Sequence, residues 1–220
     1  MGAPPTRLRV DGTTHRLPRP ADRDRPGRRL PHRIARSQCP ALLRGPGRRL
    51  GSVSQTTNFK FDRCEPKSTD AQAIRSIVQS SGFFHDHEVE IAVELVEERL
   101  SQGLASGYHF RFVDAPQGPV AYACFGEIPC TKGSIDLYWI AVDAATRGQG
   151  IGHRLLRLVE ADAARLGGRS LWAETSGRPL YAPTQAFYVN CGFELSARLP
   201  DFYDRGDDKL IFGKVLETGS

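Results

Sequence analysis

A chain of 220 residues, 40% of them hydrophobic, is long enough for one domain with a substantial core plus a tail. No apolar run approaches the ~20 residues of a membrane span, and five cysteines at 39, 64, 124, 130 and 191 are too scattered for a disulfide framework or a zinc site. The formal charge of +5 and the pI near 9.1 hide two unlike segments.

Residues 1–57 hold 13 Arg, no Lys, 3 Asp and no Glu, a net +10, while residues 58–220 carry −5. The first segment also holds 8 of the 15 Pro and no Phe, Trp or Tyr, so it lacks the apolar surface that would offset chain entropy. It is expected to be a disordered basic tail, or sequence upstream of a start near Val53. Without aromatics to stack on bases it does not point to nucleic acid. Without an apolar run behind Arg28-Arg29 it does not read as a targeting signal.

From Phe59 to Cys64 apolar and polar residues alternate, which predicts a strand closed by Pro66. Ser68 is then placed to cap a helix whose stripe is Ala71, Ile74, Ile77 and Val78, ended by Gly82. Glu88 to Leu100 reads as a second amphipathic helix, with Val89, Ala92, Val93, Val96 and Leu100 on one face. Before it, His85-Asp86-His87 reads as a solvated helix start capped by Asp86 rather than as a metal pair.

Three strands follow at Tyr108–Asp114, Val120–Glu127 and Ser134–Asp143, joined by Gly/Pro-rich turns that suit an antiparallel meander. The loop Thr146–Gly152 then opens a helix running to about Leu166, stopped by Gly167-Gly168. The next strand, Ser170–Glu174, must lie parallel to the strand before the loop. A short helix at Thr184–Asn190, a strand from Phe193 and a last strand Lys209–Val215 complete the order. The fold class is mixed α/β: a mostly antiparallel sheet with one central parallel β-α-β crossover and flanking helices.

Chemistry concentrates in Leu137-Tyr-Trp-Ile-Ala-Val142 and the hexad Arg147-Gly148-Gln149-Gly150-Ile151-Gly152 at the mouth of a helix. Successive backbone N–H groups there, aimed by a helix N-terminus, make a cradle for a diphosphate. A dinucleotide fingerprint is disfavoured, since its third glycine would come one residue later and parallel crossovers would repeat.

The pattern Arg147-x-x-Gly150-x-Gly152 after an apolar strand resembles the acetyl-CoA loop of the GNAT N-acetyltransferase superfamily. About 40 residues on, Ala186-Phe-Tyr188-Val-Asn-Cys-Gly192-Phe193 is similar to that superfamily's second signature, and the likeness runs from about Phe59 to Leu216. One departure is Tyr181, where many members carry Asn. The resemblance implies acetyl-CoA as cosubstrate, with Ile140, Ala141 and Val142 meeting the pantetheine arm and Arg147, Gly148, Gln149, Gly150, Ile151 and Gly152 holding the diphosphate. It implies Tyr188 as the acid that protonates the departing thiolate. Glu174 is the first candidate for the base, with Asp136 and Glu127 as others. Cys191 is read as packing rather than as an acyl carrier. The acceptor is expected to be a small-molecule or peptide amine, with no metal, nucleic acid or membrane partner, in a cytoplasmic monomer or homodimer. A non-catalytic acyl-CoA-binding module is the alternative.

Overall fold

In the computed structural model the described residues are 58–217, so the expectations for the basic tail lie outside them. The elements are α1 (Asp70–Ser80), α2 (Asp86–Gln102), β1 (His109–Ala115), β2 (Gly118–Glu127), β3 (Ser134–Val142), α3 (Ile151–Arg165), β4 (Ser170–Ser176), α4 (Ala182–Asn190), β5 (Glu194–Asp204) and β6 (Asp207–Val215). The six strands form one sheet in the order β1-β2-β3-β4-β6-β5. Every neighbouring pair is antiparallel except β3 and β4. This is the mixed α/β arrangement expected, with its single parallel crossover in the centre. No helix among the described residues is long and apolar enough to cross a membrane.

The first predicted strand is the main departure. Lys60 exchanges two backbone hydrogen bonds with Asp114 (2.8 and 2.9 Å), and Phe112 N–H donates to the Arg63 carbonyl (2.9 Å), but no ladder forms. The edge offered by β1 is bulged between Val113 and Asp114. Arg63 also leaves the strand direction to grip Asp114 (2.7 Å) and Asp70 at the start of α1 (2.6 Å). Local alternation is thus overridden by an ion-pair anchor between three segments.

Helix starts also shift. Thr69, not Ser68, stands at the α1 N-cap position, where the Asp70 carboxylate accepts from Lys67 N–H instead (2.7 Å). His85, not Asp86, stands at the N-cap of α2, and the Glu88 carboxylate accepts the His85 N–H (2.9 Å). The last short helix begins two residues early because Pro183 suits a first turn, where a missing N–H costs nothing.

The helices cover the sheet from two sides. Ile74, Ile77, Val78, Val89, Val93 and Val96 of α1 and α2 pack with Phe110, Phe112, Tyr122 and Trp139. Leu155, Leu156 and Val159 of α3, with Phe187 and Tyr188 of α4, pack with Ile135, Leu137, Ile140 and Val142 on the other side. Strand β3 feeds both cores through an irregularity: Phe125 pairs with Leu137 and Cys124 with Trp139, so Tyr138 is an extra residue. That bulge explains why Leu137 and Ile140, three apart, share a face. Each such side chain contributes ~1.5–3 kcal/mol on burial.

Candidate functional site

The parallel ladder between β3 and β4 is short. It joins Ser134, Ile135 and Asp136 to Ser170, Leu171 and Trp172, and from Leu137 onward these strands are no longer paired with each other. On its far side, Ile140 to Val142 stays registered with Ala121 to Ala123 of β2. The result is a V-shaped parting of the sheet whose apex is Asp136 and whose open end is Val142.

The Gly-rich loop stands at that open end. Asp143 accepts from Ala145 N–H (2.9 Å), Thr146 N–H donates to Asp143 C=O (3.0 Å), and Ala144 N–H donates to Ser80 Oγ (3.1 Å), fixing the loop against α1. Gly148 (φ 78°) and Gly150 (φ 75°) take the left-handed conformation, and Gly150 is the N-cap of α3. A Cβ built at either glycine would meet nothing within 4 Å. Neither glycine is required by packing; what they supply is backbone shape and open space above it. Arg154 N–H donates to the Gly150 carbonyl (3.1 Å), and the first turn of α3 aims its remaining N–H groups and the positive end of its dipole at that space. An extended diphosphate fits such a cradle.

Arg147 lies half-buried, with Nε donating to the Val142 carbonyl (3.3 Å) and its guanidinium 6.0 Å from the Phe83 ring. Burial lowers its pKa. It braces the end of β3 against the α1–α2 loop, while Gly148 to Gly152 form the cradle itself.

Tyr188 is fully buried on α4, its ring 5.4 Å from Phe193, 5.5 Å from Phe187 and 5.6 Å from Phe212. It belongs to the same apolar cluster as Ile140 and Val142, so the second signature and the splayed strand meet in one core.

The carboxylates gather on the opposite sheet face. Asp136 is in register with Trp172, and Glu174, two residues further along β4, shares that face. Glu174 is ion-paired with Lys209 of β6, whose ammonium also lies 4.6 Å from the Phe202 ring. One Asp136 oxygen is buried with no hydrogen-bond partner. Burial first, then the charge of Glu174, push its carboxyl up to about 7 against the opposing pull of Lys209. Glu127, at the exposed end of β2, is level with Ile135 below the apex and away from the open cleft.

Around this face stand groups that local patterns do not reveal. The Tyr203 hydroxyl is buried without a partner, and burial followed by the charges of Glu174 and Asp207 raises its pKa. Phe83 lies 6.3 Å from Tyr181, and Phe84 4.9 Å from Trp139. Tyr203 and Lys209 stand in the tracts Asp201-Phe-Tyr203 and Gly206-Asp-Asp-Lys209, close to the two ends of the β5–β6 turn.

His85 and His87 stack on each other (5.8 Å), and among the described residues no group of three potential metal ligands forms. Burial raises the Cys191 thiol to about 11, which leaves little thiolate at neutral pH.

Residues 72–193 match the acetyltransferase (GNAT) family, more than half of the chain. The chain belongs to the GNAT family. It is therefore an acyltransferase, with the acetyltransferase fold. A GNAT-family protein of Desulfovibrio desulfuricans superposes with a TM-score of 0.71 at 44% identity, over 73% of this chain and all of that one. Two more distant neighbours share the GNAT fold. A Salmonella typhimurium protein solved with its cofactor acetyl-CoA has a TM-score of 0.56 and 18% identity, over 74% of this chain and 96% of its own. The Escherichia coli ribosomal-protein-S18-alanine N-acetyltransferase has a TM-score of 0.57 and 20% identity, over 74% and 97%. No curated protein matches the chain.

Proposed function

We propose that this GNAT protein moves an acetyl group from acetyl-CoA to a primary amine, on a small molecule or a peptide, by direct attack. The observation that carries this reading is the parting of β3 from β4 beside a loop whose two left-handed glycines face open space. A thioester arm has room between the strands, and its diphosphate has the cradle at their open end.

When bound, acetyl-CoA supplies the activated thioester. Ile140 and Val142 present strand backbone to the amides of the arm, as an added strand would. Gly148 to Gly152 hold the diphosphate, with Arg147 bracing the loop. The backbone N–H of Ile140 or of Ala141, whichever faces the cleft, stabilises the oxyanion. As the new C–N bond forms and the C–S bond breaks, Tyr188 gives its phenolic proton to the sulfur. The amine's proton passes to the carboxylate pair on the opposite face. Glu174 is held there by Lys209, and Asp136 contributes the oxygen that still lacks a donor. A cytoplasmic setting fits the four free cysteines of the described residues.

The test is thiol release from acetyl-CoA by the full chain across a panel of primary amines, read beside binding by calorimetry. Amine-dependent release is expected. Tyr188→Phe should keep acetyl-CoA affinity and lose on the order of tenfold to a thousandfold in turnover. Wild-type turnover in Tyr188→Phe at every pH would reduce Tyr188 to packing. Binding of acetyl-CoA with no release for any amine would refute the transfer reading.

A further inference from the structure

Strand β5 carries a backbone outlier near the carboxylate face of the sheet. Asp201 takes φ 52°, a left-handed conformation that Asp tolerates better than most residues. It is held from both sides: its N–H donates to Asp208 Oδ1 (3.0 Å), and its own Oδ1 accepts the Gly206 N–H (2.6 Å). Pairing with β6 breaks there. Leu199 is in register with Lys209 and Asp204 with Asp207, so residues 200–203 stand opposite Asp208 alone. A bulge of this kind re-aims side chains, and strained backbone clusters at functional sites.

The bulge turns Phe202 and Tyr203, whose rings meet edge to face at 5.2 Å. Phe202 is 46% exposed and lies 4.6 Å from the Lys209 ammonium. The Tyr203 hydroxyl is buried with no hydrogen-bond partner among the described residues, as is one oxygen of Asp136. Burial, and next the charge of Glu174, push the pKa of both groups upward, so both stand near that one carboxylate. Asp207, Tyr181 and Glu88 add to the effect on Tyr203, so β4, β6, the turn before α4 and the start of α2 converge on a neutral phenol. Its surroundings are mostly acidic. Glu174 is matched by Lys209, and Asp207 by Arg178 at 3.9 Å, while Glu88 and Asp136 have no ion pair among the described residues. Such a field favours a ligand cation and opposes a ligand carboxylate.

We infer that Tyr203 binds the acceptor: its oxygen accepts one N–H of the incoming ammonium, Asp136 accepts another, and the acceptor is a primary amine with no carboxylate on the amine-bearing carbon. Asp201 is a positioning residue that acts through the bulge. The assignment rests on the reading of this face as the acceptor side of the cleft, and it narrows that reading to a substrate class. The ammonium gives one proton to the carboxylate pair before it attacks, and Tyr203 keeps its own. Both Asp201 and Tyr203 lie outside residues 72–193, the stretch that matches the GNAT family.

Thiol release from acetyl-CoA by the full chain, followed against amine concentration, tests it. Three pairs differ only by a carboxylate on the amine-bearing carbon: butylamine and norvaline, phenethylamine and phenylalanine, agmatine and arginine. In at least one pair the carboxylate-free member should be used with a kcat/KM roughly ten-fold or more above its partner's. Tyr203→Phe should raise the KM for that amine on the order of tenfold, as loss of a hydrogen bond to a charged group does, with kcat and acetyl-CoA affinity within about threefold. Asp201→Asn keeps the Oδ1 acceptor and tolerates the left-handed backbone, so it should match the wild type. Asp201→Val should reproduce the higher KM; thermal unfolding checks each variant, and Tyr203→Phe alone decides where Asp201→Val fails to fold. An unchanged KM in Tyr203→Phe, a carboxylated member equal to or better than its partner in every pair, or use of neither member of any pair overturns the assignment, and acetyl transfer stands where another amine releases thiol. Failure of every amine to release thiol refutes the transfer reading, and this assignment with it.

Discussion

Replacing Asp136 by Asn probes the apex of the cleft without requiring a known acceptor. In the folded chain its carboxyl titrates near 7, because it is buried beside Glu174, whereas an ordinary aspartate titrates near 3.8. Between about pH 4 and pH 7 the folded state therefore keeps a proton that the unfolded chain has released. The free energy of unfolding falls as pH rises through that window, by about 1.36 kcal/mol per pH unit for this one group, and levels off above pH 7. The stability the proton confers is full below pH 4 and gone above pH 7. The whole window is worth roughly 4 kcal/mol, and the part between pH 5 and pH 8 roughly 3 kcal/mol. Asn carries no charge and lacks this dependence. Urea unfolding of both full chains at pH 5 and pH 8 reads the difference: the wild type should lose about 2–3 kcal/mol more than Asp136→Asn. His109, whose pKa is lowered by burial and then by Arg99, adds a slope of opposite sign. It is common to both proteins and cancels in the comparison. Parallel stability curves for the two would refute a buried, proton-holding Asp136.

Three further outcomes follow from the geometry. Gly150→Gln should fold, since its Cβ meets nothing, at a cost of ~1–2 kcal/mol for a side chain at φ 75°, and should abolish acetyl-CoA binding; unchanged affinity by calorimetry would sink the diphosphate assignment. Gly168→Ala should destabilise the fold by ~1–3 kcal/mol in urea, because its Cβ would sit 2.6 Å from both the Ala163 carbonyl and Ile135 Cγ1; wild-type stability would show that the α3–β4 turn yields freely. A chain starting at Val53 should keep its acyltransferase rate and unfold within about 0.5 kcal/mol of full length, and trypsin should trim residues 1–57 first; an unfolded short chain would mean that the boundary is misplaced.

Much of this architecture is written in local pattern. Helical stripes, the meander of β1 to β3 and the glycines at 148, 150 and 152 depend on neighbours within a few residues, which is the range over which propensity and turn chemistry act. Alternation failed at Phe59–Cys64 because Arg63 pairs with Asp70 and Asp114, and the latter lies 51 residues away. The family likeness located Tyr188 and Glu174. It could not show that Tyr188 enters the core of Ile140 and Val142, nor that Glu174 is already engaged by a lysine.

By itself the sequence determined most of the element types, the Gly-rich loop at the mouth of α3 and the order of the two signatures, each a matter of spacing along one stretch of chain. The tertiary structure alone decided the sheet order, in which β6 inserts between β4 and β5. That insertion brings Lys209 to Glu174, and the short parallel ladder leaves Asp136 beside them at the apex of the parting. Asp136 is consequently the carboxylate driven toward neutrality, since burial and an adjacent charge depend on which strands become neighbours, a property of the whole sheet that no single segment encodes.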